Sequence, residues 1–377
     1  MRADVAVIGL GAMGAMTAWQ AAARGASVVG IEQFPIAHAR GSSHGGSRIF
    51  RMILFEGPEY VPVVRAAHEL WRALERESGA ELLTTTGGLV IGTDGGPLIT
   101  DALASAAAGG VEHELLDAGQ VRARFPQHAL FDDDVAVYEP CAGALRPEAA
   151  IRAALKVAEG AGTRIMAECP VTSLSLGERE AEIVTANGIV RARKVVLATG
   201  PWFSDLVPEL ALPLRNQRSC LTWFDGGKAY GPERFPVFIR ESRDLNGWGI
   251  PDIDGRGVKV CYGSSEGKPW LDRPEDNWTA PTAVDVAPSE AFCRAAFPEL
   301  TPRAADAAAC INSKTPDYDF VVGVSEAAPQ LVLLGGFSGH GFKHAAGIGR
   351  IAAELALDDG TDIAIQRFSP DRFAAVA

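Results

Sequence analysis

Four residues near the amino terminus have the types and spacing of a phosphate cradle. Gly9, Gly11 and Gly14 stand in Gly-Leu-Gly-Ala-Met-Gly. In such a G-x-G-x-x-G run the first glycine permits a tight turn and the second lets a pyrophosphate approach the backbone. The third lets a helix pack closely on a strand. Glu32 follows Gly14 by 32 − 14 = 18 residues. A carboxylate at that distance can accept hydrogen bonds from a ribose diol. The fingerprint alone permits NAD or FAD, and its place at the extreme amino terminus leans toward FAD.

The surrounding pattern supplies the elements this chemistry needs. Residues 4–8, Asp-Val-Ala-Val-Ile, read as a buried strand. An Ala-rich run to Arg24 reads as a helix whose free N–H groups and dipole suit phosphates, with Gly25 at its end. Ser27–Ile31 reads as a second strand, with Glu32 and Gln33 at its tip. Met13 reaches a cofactor only through its backbone in this reading, and Met16 and Trp19 belong to the core. His68, His113 and His128 lack metal-spaced partners and read as structural.

Further along, helices are expected over Tyr60–Glu77, about 98–108 and Arg146–Glu159. Strands are expected at 88–92, 135–138 and 163–167, with a hairpin at 181–184 and 190–193 and a buried strand at 194–198. Residues 213–309 change texture, with Trp223, Trp248, Tyr262, Trp270 and Trp278 among short strands. That stretch reads as antiparallel sheet with one helix at 288–297. Two strands in 319–334 and a last helix over about 340–357 follow. The fold class is therefore α/β, a Rossmann-like cofactor domain interleaved with a mostly antiparallel-sheet substrate domain. The first takes residues 1–80, 145–212 and 310–377, the second 81–144 and 213–309. A ligand cleft is expected between them.

Composition narrows the partners. The 377 residues hold 35 Lys+Arg against 47 Asp+Glu, a net charge of −12. That balance disfavours nucleic acid and anionic membranes, whose phosphates it would repel. No apolar run is long enough to span a bilayer, and no cleaved signal peptide is expected because structure starts within four residues. The six cysteines form no C-x-x-C and no zinc pattern. Scattered reduced thiols point to the cytoplasm.

Other segments choose between the cofactors. Gly41-Ser42-Ser43-His44-Gly45-Gly46-Ser47-Arg48-Ile49-Phe50-Arg51 resembles the flavin-contact loop of the monomeric sarcosine oxidase and N-methyltryptophan oxidase family. Ala198-Thr199-Gly200-Pro201-Trp202 is similar to its mid-chain flavin turn, and Gly257-Val258-Lys259-Val260 to its oxygen-activating lysine segment. Ala309-Cys310 followed by Lys314-Thr315-Pro316-Asp317 resembles its flavin attachment segment. Gly336-Phe337-Ser338-Gly339-His340-Gly341-Phe342-Lys343 resembles its last signature.

The resemblance implies an FAD enzyme that oxidises the C–N bond of a secondary amino acid, N-methyl or cyclic, to an imine and reduces O2 to hydrogen peroxide. It implies a covalent 8α-S-cysteinyl link at Cys310, and Lys259 placed over the flavin to stabilise superoxide. His44 and Arg48 would flank the ring. Arg51 and Lys343 would clamp the substrate carboxylate. Gly9, Gly11, Met13, Gly14, Glu32, Gln33, Gly41, Ser42, Ser43, Val171, Ala198, Gly200, Trp202, Ser338, Gly339, His340, Gly341, Phe342 and Lys343 would hold the cofactor, with His340 and Gly341 opening the last helix toward it. The family also implies a monomer.

Two positions depart from the family. Trp248 stands where sarcosine oxidase has a tyrosine, and Gly263 where it has a histidine. These changes point to a larger or cyclic secondary amino acid, with an aromatic wall suited to an apolar side chain. A dehydrogenase of the same fold, passing electrons to another carrier, stays open. A nicotinamide enzyme or a non-enzymatic FAD protein leaves more of these motifs unused.

Overall fold

The computed structural model describes residues 1–376. The strand Arg2–Ile8 lies in an eight-stranded sheet between Val28–Ile31 and Gly188–Leu197, parallel to both. Arg164–Met166 and Ala328–Gly335 extend the parallel pairing on the two sides. Val5 and Val7 face one apolar cluster, and Ala6 and Ile8 face another. Both faces are covered, which is why the strand reads as a continuous apolar run rather than an alternation. Helix Ala12–Ala23 packs against Pro147–Gly160 and Ala345–Leu357 on one face.

The second sheet has nine strands. Arg215–Phe224, Val258–Tyr262, Leu245–Ile250 and Val237–Ser242 pair antiparallel in that order. Gly88–Thr93 joins Val237–Ser242 in parallel. A small third sheet sets Arg48–Phe50 and Leu83–Thr85 on either side of Gly143–Leu145. No helix among the described residues is long and apolar enough to cross a membrane.

Four local expectations change. The hairpin arm at 190–193 and the buried strand at 194–198 form one strand, Gly188–Leu197. It pairs antiparallel with Ala181–Thr185 at its start and parallel with Arg2–Ile8 beyond. Its side chains pass from alternating exposure to full burial along its length, so the pattern looks like two elements. The helix expected at 288 starts at Ala283 and carries Pro288 inside it. Its start signal is a capping box in which Thr282 N–H donates to the Asp285 carboxylate at 2.8 Å. The strand Asp306–Lys314 pairs along its length with Arg215–Phe224. The domain boundary placed at 309/310 therefore cuts a strand of the second sheet. The last helix begins at Ala345, after a 3-10 turn over Phe342–His344, so His340 and Gly341 precede it.

The second sheet buries a complete ion pair. Arg240 donates to Asp134 at 2.7 Å, and both are about 1% exposed. Arg240 also donates to the Ala129 carbonyl and the Ser242 hydroxyl. Removing one partner of such a pair strands a buried charge, at a cost of about 3–5 kcal/mol. Asp134→Ala is expected to lose about that much in denaturant unfolding, whereas Asp132→Ala, at an exposed carboxylate, should change little.

Candidate functional site

The two large sheets and the loops between them enclose a cavity of about 610 Å³. One part is the fingerprint turn. Gly9 has φ +89°, and a Cβ there would stand 2.5 Å from the Ala198 carbonyl oxygen. A Cβ on Gly14 would stand 1.8 Å from the Gly9 oxygen, so Gly14 serves helix packing and does not line the cavity. Gly11, Met13, Glu32 and Gln33 do line it, as do Val171, Ala198, Gly200 and Trp202. Met16 and Trp19 are buried in the core as expected. Glu32 accepts from the Leu10 N–H at 2.8 Å and the Phe34 N–H at 3.0 Å. Burial raises its pKa, against those hydrogen bonds. Each carboxylate oxygen can accept a further bond, which leaves capacity for a diol.

The loop Gly41–Ser47 reaches the wall through Gly41, Ser42 and Ser43 and is cross-braced. Arg48 donates to the Ser42 carbonyl at 2.9 Å and the Ser47 carbonyl at 2.8 Å. Ser42 donates to the Ile311 carbonyl at 2.6 Å. The Gly45 and Gly46 N–H groups donate to Glu148, at the start of helix Pro147–Gly160. From the opposite side Lys259 donates to the Gly45 carbonyl at 2.6 Å and the Ser47 carbonyl at 2.9 Å.

Lys259 thus sits behind the loop and is not on the cavity wall. Its ammonium is buried 4.9 Å from the Trp223 ring centre. Burial, then the charge of Arg48, pushes it down to about 7. His44 is also off the wall, buried, with Nε2 lacking a protein partner. The family resemblance implies that both residues lie beside the flavin. The strand register instead turns Lys259 onto the back of the loop.

Gly41, Ser42, Ser43, Arg48 and Cys310 line the cavity together. The Arg48 guanidinium lies 3.7 Å from Cys310 Sγ. Burial resists ionisation of this thiol, but the hydrogen-bonding reach and charge of His44 and the charge of Arg48 outweigh it. They bring Cys310 down to about 7. Cys220 and Cys293, where nearby cations do not outweigh burial, are pushed up to about 12. The Cys310 thiol thus lines the cavity beside the Arg48 guanidinium, with its pKa below the ordinary thiol value.

Arg51 and Lys343 do converge, together with a residue the sequence reading missed. Arg51 donates to Glu56 at 2.6 Å and Lys343 donates to the same oxygen at 3.0 Å. Burial would raise Glu56, but Arg51, Lys343 and His340 hold it well below the ordinary range. Burial pushes Lys343 down to about 8, with Glu56 opposing. His340 donates from Nε2 to the Tyr318 carbonyl at 3.2 Å in the tautomer this contact selects, and burial takes it down to about 4. Ser338, Gly339, Gly341 and Phe342 complete this part of the wall.

Trp248 and Gly263 line the remaining wall with Asn246, Ile239, Ser265, Lys268, Asn312 and Lys314. A Cβ on Gly263 would stand 2.1 Å from Asn246 Oδ1. Asn246 therefore fills the space that the glycine seemed to open. Among the described residues no group of three or more His, Cys, Asp or Glu could hold a metal ion. His68 stacks on Phe50 at 5.3 Å, and His128 is enclosed by Phe235, Phe238 and Phe297.

This is a dinucleotide-binding α/β fold whose cavity continues into a chamber walled by a second sheet. The comparisons with known proteins agree. A family model described as FAD dependent oxidoreductase matches residues 4–355, and the chain belongs to that family. A monomeric sarcosine oxidase of Streptomyces avermitilis is 37% identical, over 99% of this chain and 98% of that one. An N-methyl-L-tryptophan oxidase of Citrobacter koseri is 31% identical, over 99% and 100%. In structure the chain is similar to NikD, described as an unusual amino acid oxidase essential for nikkomycin biosynthesis. The TM-score is 0.84 at 25% identity, covering 98% and 97% of the two chains.

The protein is an FAD-dependent oxidoreductase, and its residues fit that cofactor. The glycine turn leaves room for a pyrophosphate, and Glu32 has acceptor capacity for a ribose. The unpartnered His44 Nε2 and the low-pKa thiol of Cys310 stand beside the middle of the same cavity.

Two results should follow for the cation pair, read from the flavin spectrum of the holoenzyme. Glu56→Gln removes a competing anion and should tighten a simple monocarboxylate by about tenfold, at some cost in thermal stability. Monocarboxylate binding should also weaken as pH rises through about 8, where Lys343 loses its proton. Lys343→Arg, which keeps its charge, should remove that inflection.

Proposed function

We propose that this oxidoreductase oxidises the C–N bond of a secondary amino acid to an imine, with O2 as the acceptor and hydrogen peroxide as a product. The observation that carries the reading is the buried pair Arg51 and Lys343, which meets in the same cavity as Cys310. The names of the two relatives, a sarcosine oxidase and an N-methyl-L-tryptophan oxidase, support the substrate class.

FAD, when bound, supplies the acceptor for the two electrons and hydrogen leaving the carbon beside nitrogen. The protein's part is positioning. Arg51 and Lys343 take the carboxylate, sharing or displacing Glu56, and thereby fix the adjacent carbon. Trp248 and Asn246 bound the space for the substituent. His340, held neutral, adds no competing charge at the clamp. The amine must arrive unprotonated, and orientation carries much of the rate.

In this proposal residues 1–80, 145–212 and 310–377 serve the cofactor, and 81–144 and 213–309 serve the substrate, with the strand Asp306–Lys314 shared at the seam. Cys310 carries the flavin through a thioether, and the enzyme works as a cytoplasmic monomer. Lys259 holds the Gly41–Ser47 loop and contributes a positive charge beneath it that favours reduction of O2. A dehydrogenase is the second reading, because Lys259 does not reach the cavity wall.

Secondary amino acids should consume O2 and yield peroxide one for one, while their primary counterparts should be poor substrates. Reduction by secondary amino acids without peroxide would select the dehydrogenase. Acid precipitation should leave the flavin in the pellet, and Cys310→Ala should release it to the supernatant. Lys259→Met should slow reoxidation by more than about tenfold and spare anaerobic reduction. Equal losses in both half-reactions would leave Lys259 only its bracing role.

A further inference from the structure

Two lysines in the chamber have no use in the reading above. Lys268 and Lys314 both line the cavity, and Lys314 is 3% exposed. Among the described residues neither lies within salt-bridge distance of a carboxylate. Lys314 donates to the Ser265 hydroxyl, and Lys268 to the Tyr262 carbonyl at 3.1 Å. An ammonium has three donors, so each lysine keeps two N–H groups without a described protein partner. Burial lowers both pKa values, and Lys268 adds to the effect on Lys314. Lys314 is buried and Lys268 half-buried beside it, and two such cations without a described counter-ion are costly to hold unless an anion arrives.

The corner is built. Gln217, 2% exposed, donates from Nε2 to the Ser265 carbonyl at 2.9 Å and the Lys268 carbonyl at 3.1 Å. That amide fixes the turn carrying both residues. Lys314 stands at the end of the strand that holds Cys310. Four residues of strand place its Cα about 13 Å from that of Cys310. Lys314 Nζ also lies 5.1 Å from the Tyr318 ring centre and 5.9 Å from that of Trp270. Glu241, on the same cavity, is exposed to solvent.

The corner adjoins the carboxylate clamp through two residues, Tyr318 and His340. Tyr318 presents its ring to Lys314 and its carbonyl to His340. The His340 carbonyl in turn accepts from Lys343 at 3.0 Å. Arg51, Lys343, Lys268 and Lys314 also line the same cavity, so a ligand whose carboxylate sits on the first two can direct a second anionic group toward the others.

We propose that Lys268 and Lys314 form a second anion subsite, and that the substrate is a secondary amino acid bearing a second carboxylate. The inference rests on the function proposed above for the substrate class, but the subsite can be tested by binding alone. The holoenzyme is titrated with straight-chain dicarboxylates of increasing length and with the matching monocarboxylates, read by the flavin spectrum. At one chain length the dicarboxylate should bind at least about tenfold tighter than its monocarboxylate. Lys314→Met should abolish that advantage, Lys268→Met should reduce it and Lys314→Arg should keep it. Equal affinities at every length would overturn the proposal, as would a Lys314→Met variant that weakens both series alike.

Turnover then separates the two readings. N-methylglutamate should exceed N-methylglutamine in kcat/KM by about tenfold, mainly through KM. Oxidation of both without preference sinks the subsite and leaves the proposed function standing. A dicarboxylate advantage without oxidation of any secondary amino acid does the reverse.

Discussion

The site depends on how one glycine-rich loop is held. Gly41–Ser47 has few side chains with which to hold itself, so its shape comes from charged groups that grip its backbone. Lys259 reaches two of its carbonyls from the second sheet, and Glu148 reaches two of its N–H groups from a helix on the first. Opposite charges on opposite sides thus fix a loop that spans the two halves. Arg48 closes it from within and is left beside Cys310. Loosening any of these contacts would move Arg48, and with it the charge beside the thiol.

A second consequence concerns charge. The chain carries a net charge of −12, yet Arg48, Arg51, Lys268, Lys314 and Lys343 line one cavity. Among the described residues, only Arg51 and Lys343 of these five lie within salt-bridge distance of a carboxylate, Glu56. The acidic surface and the cationic interior do separate work. The first disfavours polyanions, while the second suits the small anionic ligand proposed above by charge.

Much of this was legible in the sequence. Gly9, Gly14 and Glu32 carry their spacing openly, because a βαβ turn leaves little freedom. The motifs around Arg48, Cys310 and Lys343 place those residues on one cavity. What stayed hidden depends on long-range register. The direction in which Lys259 points follows from its pairing with Trp223 and Ile250, which no local pattern shows. Glu56 stands in a loop with no motif around it, and its role appears only when Arg51 and Lys343 meet on it. Asn246 occupies the space of Gly263 from a neighbouring strand. Lys314 lies in the segment that resembles a flavin attachment motif, and no local pattern shows that it reaches the chamber.

The central claim is that this cavity sets a secondary amino acid against FAD for removal of two electrons. Anaerobic titration of the holoenzyme with a secondary amino acid tests it most directly. The account predicts that one equivalent bleaches the flavin completely and gives one equivalent of imine-derived product before air is admitted. A flavin that stays oxidised with every secondary amino acid, while a simple carboxylate still binds at Arg51 and Lys343, would contradict it.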